Sequence, residues 1–367
     1  MDSKTPPNPW LISPREDLVW FQGSVIAGLC LLALFVALPF PQHAPLAPTD
    51  PVIMALFLWG VMFDGTHVWA TYARTYFAPD DGSKSGIPSR RWWGLLAVGP
   101  AFALIDAQLP SKGVLFSWFL LAAYLWAYYH LVRQHYGFLM LYRKRAGETD
   151  RYGQLLDSLI LWLGCLYPYL RFSLSDAYLH SGLPHLIPAE MFPTLRPLLD
   201  GLFFLLMGAA VLLMLSGRIE RFRPAPKHLL MAIVIVFHLL VFGFLTHLLT
   251  ILATLTIFHN LQYHRIVWQY EAGHGRRPLG GVLRYLATGM LFGLIWYGLR
   301  VPTTVAVTDE TTRNMLIGLC WGVAFHHYHI DSRIWRVRKS PQLVQALDIG
   351  ANQVITHHGQ PRASTAK

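Results

Sequence analysis

Charged residues are scarce in this chain. Asp, Glu, Lys and Arg together make up 14% of its 367 residues, whereas about a quarter is usual in a soluble domain. Hydrophobic residues make up 54% instead. They form apolar runs of about 20 residues, each long enough to cross the hydrocarbon core of a bilayer. The composition excludes an ordinary soluble domain and predicts an all-α, polytopic membrane protein.

Cysteine is scarce as well, and its placement excludes two kinds of site. Cys30, Cys165 and Cys320 each fall inside an apolar run and show no pairing pattern. We therefore expect neither a disulfide framework nor a thiolate metal site. Basic residues outnumber acidic ones, which gives a formal charge of +10. Because the basic residues lie in short links between apolar runs, this charge indicates membrane orientation, and we expect no nucleic-acid partner.

Ten apolar segments are candidate transmembrane helices in a single domain over residues 1–340, followed by a polar cytoplasmic tail at 341–367. Lys and Arg cluster in alternate links between them, which places both termini in the cytoplasm. We expect a multi-pass protein of a bacterial inner membrane. The segments are 19–40, 52–73, 93–109, 114–142, 153–170, 197–217, 228–246, 247–270, 280–299 and 314–336.

Histidine is concentrated in four of these segments, the second, fourth, eighth and tenth. All four run from outside to inside in the orientation given by Lys and Arg, so their late histidines share one depth. Imidazole is unfavourable in lipid, and so many at one depth are difficult to explain as interfacial side chains. Since imidazole suits iron, copper and zinc, we expect the four segments to meet at one metal site. The candidate ligands are His67, His130, His135, His259, His264, His326, His327 and His329.

Helical phase limits which of these histidines can bind together. His326 and His329 are three residues apart and share a face, while His327 points about 100° away from His326. The pairs in the fourth and eighth segments are five residues apart, which separates their members by about 140° on a regular helix. Either a π-bulge corrects the phase, or only one member of each pair is a ligand.

Three further side chains are candidates for catalysis beside the metal. Asp64 lies three residues before His67, and Asp331 lies five residues after His326. Either carboxylate could orient a ligand histidine or bind the metal directly. Tyr263, within the eighth segment, is the third candidate.

Four short stretches, taken in order, suggest a family. They are Asp64-Gly65-Thr66-His67, Gln134-His135-Tyr136-Gly137, the stretch from His259 to Trp268, and the stretch from His326 to Asp331. Together they resemble the bacterial and archaeal Brp/Blh family of membrane β-carotene 15,15′-dioxygenases. That family has a Pro-His-Gly-x-x-Asp region, an Ile-His-Phe-Gly stretch, a His-x-x-x-His pair before an aromatic residue and Trp, and a late His with Asp five residues on. The paired histidines are one residue further apart here.

The resemblance implies a non-haem ferrous iron held by four histidines on separated helices. The implied ligands are His67, His135, one or both of His259 and His264, and His326. It also implies dioxygen and a hydrophobic isoprenoid or lipid-like molecule as substrates, in contact with membrane lipids. The histidine content is similar, to a lesser degree, to that of membrane desaturases and hydroxylases, but their closely spaced His-x-x-His-His boxes are missing from this chain.

We therefore favour a histidine-ligated non-haem iron oxygenase and keep two alternatives, a zinc-dependent hydrolase and a haem-binding or transport membrane protein. A zinc-dependent intramembrane lipid hydrolase would use three histidines, leave one position for water and take Asp64 or Asp331 as base. A haem-binding protein would use paired histidines as axial ligands. A transporter would require broken helices and intramembrane carboxylates, of which the apolar segments contain few, chiefly Asp64 and Asp106.

Overall fold

The chain folds into helices throughout the part that can be described. The computed structural model describes residues 9–38, 49–77, 90–217, 225–337 and 340–348. The structure is 82% helical, and the described ranges contain no strand. In a hydrocarbon environment the backbone polar groups must be satisfied internally, and a helix satisfies them within one segment. The prediction of an all-α protein is confirmed.

Ten helices of twelve residues or more lie in the described ranges. They are α1 (Pro14–Ala37), α2 (Pro51–Thr75), α3 (Leu95–Asp106), α4 (Val114–Arg145), α5 (Arg151–Ser173), α6 (Phe192–Leu215), α7 (Pro226–Phe244), α8 (Leu248–Gly273), α9 (Val282–Ala306) and α10 (Glu310–Ile334).

Seven of the described helices, α1, α2, α4, α5, α6, α7 and α9, are long and apolar enough to cross a membrane. Their outward faces carry large exposed apolar side chains, such as Leu205 of α6 at 69% and Leu283 of α9 at 82% exposure. Such continuous apolar surface is a liability in water and is expected against lipid. The protein is therefore a multi-pass membrane protein.

Helix α8 is central to the bundle and packs against α1, α2, α4 and α7. Its buried positions include polar residues, among them Asn260 and Gln262. A short helix, Pro341–Ala346, packs on α8 near Gly273 and buries Leu343. The start of the segment predicted as a polar tail is thus packed on the bundle, and residues 349–367 lie outside the described ranges.

Helix α10 is positioned by close backbone contact with α3. A Cβ atom added at Gly99 would collide with the backbone of Gly318, and one added at Gly318 would collide with that of Gly99. Helix α2 meets α9 in the same way at Gly65 and Gly293. Small residues allow helix backbones to approach within a membrane, where lipid leaves little hydrophobic driving force between helices.

One turn of α2 departs from α-helical geometry. Gly60–Asp64 form a π-helical turn that ends three residues before His67. The π-bulge considered for the paired histidines is not found in α4 or α8, which are α-helical over their whole lengths. The π-helical turn therefore lies in α2, another of the histidine-bearing helices. Such turns are frequent at functional sites.

A buried ion network joins α4, α5 and α7 at one end of the bundle. The Asp157 carboxylate accepts hydrogen bonds from Arg143 at 2.6 Å and from Lys227 at 2.8 Å. All three side chains are buried. Glu148 also contacts both cations, but Asp157 is the more deeply buried of the two carboxylates, and removing one partner of a buried ion network is destabilising.

We expect Asp157→Ala to lower the free energy of unfolding by about 3 kcal/mol, because two buried cations lose a shared carboxylate. SDS-induced equilibrium unfolding of the purified protein, followed by circular dichroism, measures this change. Asp176→Ala is the matched control, since the Asp176 side chain is 85% exposed and lies 3.9 Å from Arg196. Equal stability of the two variants would contradict the role given to the network.

Candidate metal centre

Four histidines from four helices meet inside the bundle. They are His67 of α2, His130 of α4, His259 of α8 and His327 of α10. The Nε2 atom of His67 lies 2.9 Å from Nε2 of His327 and 3.2 Å from Nε2 of His259. The ring centre of His130 lies 5.3 Å from that of His259 and 5.2 Å from that of His327. One imidazole from each predicted segment thus reaches a common point.

A carboxylate completes this group. Asp331 lies one turn after His327 on α10, and its Oδ2 atom is 3.6 Å from Nε2 of His327 and 3.9 Å from Nε2 of His130. One ligand atom from each of His67, His130, His327 and Asp331 lies within 4.8 Å of all the others. With His259 beside His67, the side chains offer five donors of the kinds that bind transition metals.

The contacts around His67 test whether a metal fits. A ring nitrogen carries either one proton or one lone pair, so a single hydrogen bond does not explain two short contacts at the same Nε2 atom. Two nitrogens bound about 2.0–2.1 Å from one ion lie about 2.8–3.4 Å apart at octahedral or tetrahedral angles. The observed 2.9 and 3.2 Å fall in that range. The cluster therefore fits a metal ion held by imidazole nitrogens.

Thr71 and Tyr263 hold Asp331 in place. The hydroxyl groups of both residues donate hydrogen bonds to Oδ1 of Asp331, at 2.8 and 2.7 Å. Nδ1 of His327 lies 2.9 Å from the Thr71 oxygen. Because the Thr71 proton is used on Asp331, His327 Nδ1–H is the donor in this contact, and its Nε2 atom keeps a lone pair for a metal. Oδ2 of Asp331 is left facing the histidines.

Two of the clustered histidines, His67 and His259, lack this kind of support in the described part of the chain. Nδ1 of His67 and Nδ1 of His259 are buried and have no hydrogen-bond partner among the described residues. Metal-binding histidines usually donate the second ring N–H to a carboxylate, carbonyl or water.

Two of the predicted ligands have hydrogen-bonding partners away from the cluster. The ring of His264 contacts the hydroxyl groups of Thr66, at 3.1 Å, and Tyr285, at 2.7 Å. The ring of His326 lies 3.1 Å from the hydroxyl of Tyr72 and stacks against an indole ring of the 90–94 turn.

Two further candidates also lie apart from the cluster. His135 is buried between His238 and Phe258, with ring centres 6.0 and 5.3 Å away. His329 stacks on Trp92 at 3.8 Å. Of the ligands implied by the resemblance, the structure brings together one from α2 and one from α8, and it adds His130 and His327 from the other two helices.

Asp64 forms its hydrogen bond outside the histidine cluster. Its Oδ2 atom accepts a 2.6 Å hydrogen bond from the Tyr297 hydroxyl, whose oxygen accepts one from Arg300 at 3.1 Å. Asp64 and Arg300 line a cavity that also contacts His67. Asp64 therefore belongs to the wall of the cavity next to the cluster.

This cavity gives the cluster an apolar approach. The space between its atoms is about 490 Å³ when the open mouth and the adjoining solvent are included, but the space open to the centres of water-sized molecules is only about 30 Å³. The cavity is therefore narrow and open at one side. Besides the four clustered histidines, its wall includes the apolar side chains of Val68, Ala127, Leu131, Leu252 and Ala324.

No family model, curated protein or solved structure matches the chain.

Thr71 was not predicted as a site residue. Its signal in the sequence is its position four residues after His67, which places both on one face of α2. Tyr263 was predicted as a catalytic candidate, and the structure places its hydroxyl on Asp331 and its ring 4.4 Å from that of His67.

We expect His67→Ala and His327→Ala each to lower the metal bound per chain by at least about 10-fold. Loss of a residue that only supports a ligand already lowers metal affinity by about that factor. His264→Ala and His326→Ala are matched controls because their rings have partners outside the cluster. Inductively coupled plasma mass spectrometry of the purified proteins measures the difference. Wild-type metal content in His327→Ala would show that the cluster is not the binding site.

Thr71→Val should weaken metal binding by about 10–100-fold while leaving every candidate ligand in place. The substitution keeps the shape of the side chain and removes the hydroxyl that orients Asp331 and His327. Competition with a chelator of known affinity measures the change. Thr71→Ser, which retains the hydroxyl, should bind like the wild type, and equal loss in both variants would contradict the assigned role.

Proposed function

We propose that this protein is a membrane oxidoreductase in which a histidine-ligated, non-haem ferrous iron oxygenates a hydrophobic, isoprenoid or lipid-like substrate. The observation that supports it is the convergence of three imidazole Nε2 atoms at 2.9 and 3.2 Å beside a buried carboxylate and an apolar cavity. Imidazole and carboxylate together are the donors of many non-haem iron oxygenases. The resemblance to the Brp/Blh family supports the same reaction class.

We assign the iron to His67, His130, His259 and His327, with Asp331 as a further ligand or as the residue that orients them. When bound, the ion supplies the redox chemistry that reaction with dioxygen requires. The chain supplies the geometry and a cavity from which bulk water is largely excluded. Thr71 and Tyr263 hold Asp331, and the apolar wall binds the substrate next to the cluster.

The proposed topology places the cluster in the cytoplasmic half of the bilayer. All ten helices would cross or enter the membrane, with both termini in the cytoplasm, as the distribution of Lys and Arg favours. Helices α8 and α10, which are not among the seven described helices apolar enough to cross a membrane, would be shielded from lipid by their neighbours. A bacterial inner membrane suits such a helical protein.

A zinc hydrolase is less well supported by the donor set. Catalytic zinc sites usually have three protein ligands and one open position. Here four imidazoles and one carboxylate lie within reach of one point. Axial haem ligation is also disfavoured, because ligands on opposite faces of a haem have nitrogens about 4 Å apart, while Nε2 of His67 and Nε2 of His327 are 2.9 Å apart.

Growth of expressing cells under ¹⁸O₂ tests the proposed reaction. We expect lipid extracts from cells with the wild-type protein to contain ¹⁸O-labelled hydrophobic species that are missing with His327→Ala, and the purified protein to contain iron. His264→Ala should behave like the wild type. Zinc in place of iron, or identical labelled lipids with and without His327, would refute an iron oxygenase.

A further inference from the structure

Part of the cavity wall carries hydrogen-bond donors that the protein leaves unused. The indole Nε1 of Trp59 on α2 and the amide Nδ2 of Asn260 on α8 are donors without a hydrogen-bond partner among the described residues, and the Oδ1 acceptor of Asn260 also has none. Trp296 of α9 is a third case, with only the Cys320 thiol, a weak acceptor, beside its Nε1 atom. All three residues line the cavity of the metal cluster.

The side chains that carry these unused polar groups are all buried. Trp59 is 7%, Trp296 5% and Asn260 0% exposed. A buried polar group without a partner costs about 1–3 kcal/mol, so the great majority of such groups are paired in native proteins. Two of them line one cavity together with the weakly paired Trp296, and we infer that a molecule in the cavity supplies the missing acceptor.

The charges in the same wall favour a neutral molecule. Asp64 and Arg300 both line the cavity, and Tyr297 joins them by donating to Asp64 at 2.6 Å and accepting from Arg300 at 3.1 Å. The carboxylate and the guanidinium therefore offset each other. The unused donors are an indole N–H or a carboxamide, and neither carries a charge.

We propose that Trp59, Asn260 and Trp296 form a subsite for a neutral oxygen group, a hydroxyl or a carbonyl, on a long apolar ligand. The apolar part of the ligand next to this group lies against Val68, Leu131 and Leu252, and the rest of the ligand leaves through the open mouth of the cavity. The inference extends the proposed function, because the ligand would be the substrate of the metal centre. The substrate class is thus an apolar alcohol, aldehyde or ketone, with its oxygen bound away from the metal.

Binding of tritiated hexadecan-1-ol to the purified full-length protein in detergent tests this subsite. We expect saturable binding that unlabelled hexadecan-1-ol displaces and that hexadecane and hexadecanoate displace far less well. Trp59→Phe and Asn260→Leu should each weaken binding by about 3- to 10-fold, the effect of one lost hydrogen bond. Trp118→Phe is the matched control, since Trp118 is exposed on α4.

Each other result would overturn the subsite. Hexadecane competing as well as the alcohol would show that the oxygen is not recognised, and hexadecanoate competing better would show an anion site. Wild-type affinity in both variants, or no saturable binding of the alcohol, would also refute it. Thermal unfolding of Trp59→Phe and Asn260→Leu establishes that both variants are folded.

The same assay separates this inference from the proposed reaction. Binding is measured before and after metal removal with a chelator, and we expect the differences among the variants to persist in the metal-free protein. Loss of ¹⁸O incorporation with intact alcohol binding would refute the oxygenase and leave the subsite standing. Failure of alcohol binding with intact ¹⁸O incorporation would refute the subsite alone.

Discussion

The hydrogen bonds to Oδ1 of Asp331 are the interaction on which the candidate metal centre depends. They come from Thr71 of α2 and Tyr263 of α8, while Asp331 itself belongs to α10. One carboxylate therefore ties together three of the four helices that carry the clustered histidines. A buried carboxylate is unfavourable within a membrane unless donors or cations stabilise it. Two hydroxyl groups satisfy one of its oxygens, and a metal ion among the imidazoles would stabilise the other.

Close packing of helix backbones fixes the positions of the residues that make this interaction. Without a strong hydrophobic drive between helices in lipid, the depth and rotation of each helix depend on how closely its backbone can approach its neighbour. The Gly99–Gly318 contact fixes α10 against α3, and the Gly65–Gly293 contact fixes α2 against α9. Gly65 lies only two residues before His67, so the position of that imidazole follows closely from the contact. Side chains larger than hydrogen at these positions would separate the helices that bring the ligands together.

Much of this arrangement follows from the sequence, but the identity of the ligands does not. Composition predicts the helical membrane fold, and the distribution of Lys and Arg predicts that four histidine-bearing segments share one depth. Helical phase predicts one ligand from each pair that is five residues apart, without selecting His130 over its neighbour. The resemblance favours His326, whereas the structure directs His327 to the cluster, because rotation of α10 is set by contact with α3. Thr71 was not predicted, since a helical threonine is common and its role depends on a partner 260 residues away.

The order of the candidate donors along the chain determines when the candidate metal site can form during biosynthesis. His67 is on the second of the ten helices, and His327 and Asp331 are on the tenth. A nascent chain that ends before Glu310 contains three of the clustered imidazoles but not the carboxylate or His327. The complete donor set therefore forms only after α10 has packed against α2. Until then the early histidines would be incomplete chelators, and full metal affinity would require α10 in its final position.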